Sequence, residues 1–139
     1  KKLVWLEIED CSIEDGLESL GMEELYSLAS FSISSCGNLR ALHLKLPQSL
    51  ENLWISSCNS LETIPDLSEL QNLQLLDLYD CNQLTGIAGL DKLKSLEILS
   101  IADCGSLGTL LDLSGLRDLK SLKLWDYGQL SEIFGIGEL

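Results

Sequence analysis

Basic residues are scarce in this chain. Nine lysines and arginines stand against 22 aspartates and glutamates, giving a formal net charge of −13 and a pI near 4.2. Nucleic acid is therefore expected to be repelled, because phosphate binding needs a basic stripe. Anionic membrane surfaces are disfavoured for the same reason. Only one histidine is present, His43, and no Ser-His-Asp or Cys-His constellation can be laid out around it. Phosphate-binding loops, dinucleotide fingerprints and zinc-ligand spacings are missing too. The expectation is a protein that is not an enzyme, with no cofactor, no metal and no small-molecule ligand. No apolar run reaches the length of a membrane-spanning helix, and the start lacks a signal-peptide layout. Asn-x-Ser/Thr sequons are absent as well.

What is present is a repeat. Five cysteines fall at Cys11, Cys36, Cys58, Cys81 and Cys104, separated by 25, 22, 23 and 23 residues. Each sits in the same apolar frame. Leu73, Leu76, Leu78, Cys81, Leu84, Ile87, Leu90 and Leu93 recur 23 residues later as Leu96, Leu99, Ile101, Cys104, Leu107, Leu110, Leu113 and Leu116. A further 23 residues bring Leu119, Leu122, Leu124, Tyr127, Leu130, Ile133, Ile136 and Leu139, with Tyr127 in the cysteine slot. Earlier units begin at Leu3, Leu28 and Leu50. Self-similarity of the form LxxLxLxxC at this period is the mark of a leucine-rich repeat. The expected fold is an α/β solenoid: an arc of about six repeats of 22–25 residues, its parallel sheet on the concave face. Loops and short 3₁₀ or helical turns are expected on the convex face. Residues 1–139 read as a single repeat domain, a piece of a longer chain without its polar caps.

The cysteines form a structural ladder. All five occupy one repeat position, where a thiol acts as a small buried hydrophobe and donates weakly to a backbone carbonyl. Parallel side-chain directions and an odd count argue against disulfides. With the missing sequons, this favours a reducing, cytoplasmic or nucleo-cytoplasmic location. The position before each cysteine holds Asp10, Ser35, Ser57, Asp80, Asp103 and Asp126. These side chains are expected to cap backbone donors where the strand ends; a cation-binding ladder is the alternative.

Two segments break register. Ser12-Ile13-Glu14-Asp15-Gly16 replaces the usual leucine after Cys11, and Leu42-His43-Leu44-Lys45-Leu46-Pro47 alternates like an extra convex strand. On the convex side, Ile64-Pro65-Asp66-Leu67-Ser68-Glu69-Leu70 is expected as a turn into a short helical or 3₁₀ stretch, started by Pro65 and capped by Asp66 or Ser68. Gly89 and Gly115 are expected to serve the same element by turning the chain.

Alternation within LxL places three residues of each strand outward. They are Trp5, Glu7, Glu9; Ser30, Ser32, Ser34; Asn52, Trp54, Ser56; Leu75, Asp77, Tyr79; Ile98, Ser100, Ala102; and Ser121, Lys123, Trp125. All three tryptophans point out. Leu75 and Ile98 are expected as cross-strand neighbours, with Trp54 and Tyr79 diagonal to them, as an exposed apolar cluster edged by acids. Two readings stay open: anchors for a protein partner, or aromatics that cover one another or pack on another domain of the same chain.

The frame L-x-x-L-x-L-x-x-C-x-x-L-x-x-I-P-x-L-x-x-L-x-x-L resembles the repeats of plant intracellular nucleotide-binding leucine-rich-repeat (NLR) immune receptors. Residues 73–81, SCNSLETIPDLSEL at 57–70 and LLDLSGLRDLKSLKL at 110–124 look particularly like the flax rust-resistance TIR type. Departures are Tyr127 for cysteine, and Ala88 and Leu111 where the frame has proline. The resemblance implies a region that restrains a nucleotide-binding engine and recognises a pathogen effector through concave residues. By position these are Trp5, Glu7, Trp54, Leu75, Asp77, Tyr79, Ile98, Lys123 and Trp125. The implied partner is a pathogen effector or other domains of the same receptor. A freestanding cytosolic scaffold of the phosphatase-regulator kind is the rival, although its ladder is normally asparagine. An extracellular receptor-kinase ectodomain gains only from Leu84-Thr85-Gly86-Ile87.

Overall fold

The computed structural model describes residues 2–13, 17–107, 111–126 and 133–139. Its main feature is a six-stranded parallel sheet, in which every LxL segment contributes one five-residue strand. These are β1 (Trp5–Glu9), β2 (Ser30–Ser34), β3 (Asn52–Ser56), β4 (Leu75–Tyr79), β5 (Ile98–Ala102) and β7 (Ser121–Trp125). They pair in the order β1-β2-β3-β4-β5-β7. Two short strands, β6 (Leu111–Asp112) and β8 (Ile133–Phe134), pair in parallel on the other side of the turn. The chain is thus a parallel β-solenoid of about five turns, a repeat arc.

Register runs straight through the irregular spacings. Trp5 pairs with Ser30, Ser30 with Asn52, Asn52 with Leu75, Leu75 with Ile98, and Ile98 with Ser121. The offsets of 25 and 22 residues are therefore absorbed wholly outside the sheet. A slip of one residue would turn each leucine column into solvent, so the buried face holds the register. Leu53, Leu76 and Leu99 form one wholly buried column, and Ile33, Ile55, Leu78 and Ile101 another. Each such side chain contributes about 1.5–3 kcal/mol. Leu6 and Ile8 at one end, and Leu122 and Leu124 at the other, have a neighbour on one side only and are half-buried.

Each strand ends on a residue in the left-handed region. Asp10, Ser35, Ser57, Asp80, Asp103 and Asp126 all have φ between 46° and 54°. That conformation explains the slot better than capping does. Asp tolerates positive φ because its short polar side chain satisfies nearby groups. The backbone N–H of Asp10, Ser35, Ser57, Asp80 and Asp103 still donates to the next strand, at 2.9–3.1 Å. The Asp80 carboxylate accepts from side chains, Asn82 Nδ2 at 3.1 Å and the amide of Asn59 at 3.2 Å.

The left-handed kink drops the following cysteine into the core. Cys36, Cys58, Cys81 and Cys104 are wholly buried, Cys11 is half-buried, and all five are free thiols. The buried four donate to the carbonyl two residues back, on Ser34, Ser56, Tyr79 and Ala102, at 3.3–3.4 Å. Cys81 and Cys104 also lie 3.8 Å from the carbonyls of Ile55 and Leu78 in the preceding repeat. A turn then brings the next leucine in: the N–H groups of Leu39, Leu61, Leu84 and Leu107 donate to the cysteine carbonyl three residues earlier. Tyr127, Leu110 and Leu130, and residues 14–16 of the first irregular segment, lie outside the described residues.

The convex side carries the short 3₁₀ turns expected of it: among the described residues its helices are all 3₁₀, at Leu17–Leu20, Met22–Glu24, Leu90–Lys92 and Ile136–Glu138. It departs from expectation in three places. Residues 42–46 do alternate in burial, with Pro47 buried as well, but among the described residues the one bridge here is Ala41 with Thr63, so the segment is not a strand. No helix follows Pro65 either. Asp66 Oδ1 instead accepts the N–H of Ser68 at 2.9 Å, closing a local turn. Two repeats later Asp112 accepts the N–H of Ser114 at 2.9 Å in the same way. The repeat after each of these places a glycine, Gly89 and Gly135 with φ of 84° and 83°, ahead of a 3₁₀ turn. The convex edge therefore alternates Asp-Leu-Ser turns with glycine-led 3₁₀ turns. Gly115 has a different task from the one expected: a Cβ there would strike the carbonyl of Asp91, so it serves close approach.

Candidate protein-binding face

The in-register sheet sorts the outward residues into three rows across the concave face. The first is Trp5, Ser30, Asn52, Leu75, Ile98, Ser121 and the second Glu7, Ser32, Trp54, Asp77, Ser100, Lys123. The third, beside the left-handed kinks, is Glu9, Ser34, Ser56, Tyr79, Ala102, Trp125.

Trp5 and Trp54 sit on β1 and β3, on either side of β2. Their rings stack with centroids 5.9 Å apart and planes inclined by 19°. Strands two places apart are separated by about 9.6 Å, so the rings lean towards each other over the small side chains of Ser30 and Ser32. Ser30 is buried and accepts a hydrogen bond from Asn52 Nδ2 at 3.1 Å.

Tyr79 and Trp125 repeat that arrangement without closing it. They flank Ala102 across β5, with 47 % and 69 % of their surface exposed, and make no ring contact with each other. Between them and Trp54 lies a cleft of about 510 Å³, floored by Ser100 and Ala102 and walled on its inner side by Asp77 and Lys123. Asp77 is half-buried, and that burial raises its carboxyl above the usual range although Lys123 pulls the other way. No hydrogen bond or close ion pair engages it.

The candidate residues thus fall into two groups. Trp54, Asp77, Tyr79, Lys123 and Trp125 line one cleft, with Trp5 braced behind Trp54. Leu75 and Ile98 are the expected register partners, half-buried and 37 % exposed, but they belong to the first row at the opposite end of the strands. Trp54 is diagonal to Leu75, as expected. Tyr79 is not diagonal to Ile98: it lies four residues along β4 from Ile98's partner, too far for contact. Glu7 is exposed on β1 and does not line the cleft. Sequence reading overlooked the small residues Ser100 and Ala102. Part of their signal was available, since a small side chain between two aromatics leaves room above it; whether the rings close over that room, as Trp5 and Trp54 do, or leave it open was not legible.

A larger cavity, about 600 Å³, lies on the convex side along residues 42–48 and includes His43. Of its two carboxylates, Asp66 is already engaged with Ser68. Among the described residues no three His, Cys, Asp or Glu side chains converge as a metal-ligand set, and no helix is long and apolar enough to cross a membrane.

No protein-family model matches the chain, and neither does any curated protein or solved structure.

Proposed function

We propose that the chain is a protein-binding repeat module, working as part of the effector-recognition and autoinhibition region of a plant intracellular NLR immune receptor of the TIR type. The observation that carries the binding part is the concave cleft: three aromatic side chains and a half-buried carboxylate presented on a rigid, in-register sheet. Aromatic anchors ringed by polar groups are the composition of a protein contact. The repeat frame quoted above supports the receptor part. Five free thiols suit a reducing compartment, cytoplasmic or nucleo-cytoplasmic.

The test is Trp54→Asp with Tyr79→Asp in the receptor that carries this chain. Loss of the effector-triggered response, or release of signalling without effector, is the expected outcome. Unaltered signalling from a folded variant overturns the assignment.

A further inference from the structure

Two aromatic pairs straddle a single strand on this face, and their difference is informative. Trp5 and Trp54 have closed over Ser30 and Ser32 and satisfy each other. Tyr79 and Trp125, equally two strands apart, stand open over Ala102. Two rings about 9.6 Å apart at their base leave room for one flat group between them, since stacking on both faces needs about 7 Å. The gap has the shape of a slot that a planar side chain would fill.

Charge decides what kind of group enters. Asp77 faces the cleft with no hydrogen bond of its own, and Asp80, Asp103 and Asp126 stand at the kinks immediately beyond Tyr79, Ala102 and Trp125. Lys123 is the one cation of the lining. The surroundings are thus acidic, in a chain of net charge −13. A cation over an aromatic face is attracted by the ring quadrupole. A guanidinium, unlike an ammonium, is also flat and can meet a carboxylate with two parallel hydrogen bonds.

We infer that the Trp54–Tyr79–Trp125 cleft receives an arginine side chain from a basic segment of the partner protein, stacked between Tyr79 and Trp125 and held by Asp77. This rests on the concave face being the protein-binding surface, and names the chemistry that surface selects. Leu75 and Ile98, at the far end of the strands, take no part in it.

The experiment titrates the chain with three decapeptides of alternating glycine and arginine, lysine or glutamate, followed by tryptophan fluorescence and calorimetry. The arginine peptide should bind saturably and more tightly than the lysine peptide, and the glutamate peptide not at all. Asp77→Asn should weaken arginine binding about tenfold or more, and Trp125→Ala, at an exposed ring, by a comparable factor. Glu9→Gln removes the same charge on the same face outside the cleft and should change affinity less than about twofold. Lys123→Gln should strengthen binding. Equal losses for Asp77→Asn and Glu9→Gln would mean general attraction to an acidic face, and would overturn the site. So would tighter binding of the glutamate peptide through Lys123, or no saturable binding of any peptide. A cooperative thermal melt, at or above the parent midpoint for Asp77→Asn, confirms that each variant is folded. If the receptor response still depends on Trp54 and Tyr79 while the arginine peptide does not bind, the slot fails and the binding face stands.

Discussion

Trp5 and Trp54 are 49 residues apart in the chain and stack with ring centroids 5.9 Å apart, across a strand that belongs to neither. The contact depends on the serines beneath it: β2 presents Ser30, Ser32 and Ser34, where any large side chain would hold the rings apart. Half of the question raised by outward tryptophans is thereby answered. One pair of aromatics does cover itself, and the second pair, Tyr79 and Trp125, does not.

That stacking has a measurable worth. A double-mutant cycle of Trp5→Ala and Trp54→Ala in urea denaturation should give a coupling of about 0.5–1.5 kcal/mol. Ser32→Phe should abolish the exciton signal of the stacked indoles in circular dichroism while leaving the fold intact. A coupling indistinguishable from zero would show that the rings contribute only as separate surfaces.

Glycines on the convex edge should separate sharply. Gly89 has a φ of 84°, and a Cβ there would strike Asp66 Oδ1 and the Ser68 backbone N–H group of the turn below. Gly89→Ala combines left-handed strain of about 1–2 kcal/mol with displacement of that turn, so it should cost at least ~2 kcal/mol. Gly86, three residues earlier, has open space around its Cβ position and no positive φ. Gly86→Ala should be neutral or gain about 0.4–1 kcal/mol by restricting the unfolded chain. Similar urea midpoints for the two variants would contradict the convex geometry.

Three carboxylates should shape the pH dependence, with opposite signs. Asp66 is held below the usual range by the Ser68 backbone N–H, and Asp112 by the hydroxyl of Ser114, 2.6 Å away, and by its N–H. A depressed folded pKa stabilises above the unfolded value, about 3.9, and that contribution is lost as pH falls through the folded value. Asp66→Asn with Asp112→Asn should therefore flatten the acid limb. Asp77 runs the other way: burial raises it, so the folded state gains stability as pH falls through the raised value. Asp77→Asn should accordingly melt higher than the parent chain at pH 7, and lower stability at that pH would show that its charge is satisfied.

The cysteine ladder should be nearly inert. Burial pushes the Cys36 thiol up to about 12, with the neighbouring Cys11 adding to the rise, and burial raises Cys58 as well. The hydrogen bond with the adjacent Cys104 thiol, together with burial, raises Cys81. The same hydrogen bond lowers Cys104, but that thiol is wholly buried. The reactive form is a thiolate that the reagent can reach, so a chromogenic disulfide reagent at pH 8 should label the half-buried Cys11 alone before unfolding. All five should react in denaturant. Fast labelling of several thiols in the native chain would mean the repeats open locally.

Legibility followed the distance over which each feature is decided. The leucine columns could be read directly, because alternation within LxL is local and five-fold repetition excluded coincidence. The pairing of Leu75 with Ile98 followed from the 23-residue period and holds. Tyr79 was misjudged for a related reason: period predicts which residues share a row, whereas reach along a strand must be counted at about 3.3 Å per residue. The segment 42–47 shows another limit. Its alternation correctly foretold alternating burial over 42–46, yet burial makes no strand where, among the described residues, the one bridge beside it joins Ala41 to Thr63.

By itself, then, the amino-acid order determined the solenoid, its strand register, its inward thiols and the identity of the outward residues. These all express a short period repeated along one axis, and neighbouring repeats need only stack. Tertiary structure alone decided the rest. Residue type does not state the sign of φ, so the left-handed kink was hidden in a slot shared by Asp and Ser. Nor does the period say whether two side chains on alternate strands close or stay apart. Serines beneath Trp5 and Trp54 let one pair meet, while Tyr79 and Trp125 stayed open over Ala102, and that difference made the cleft.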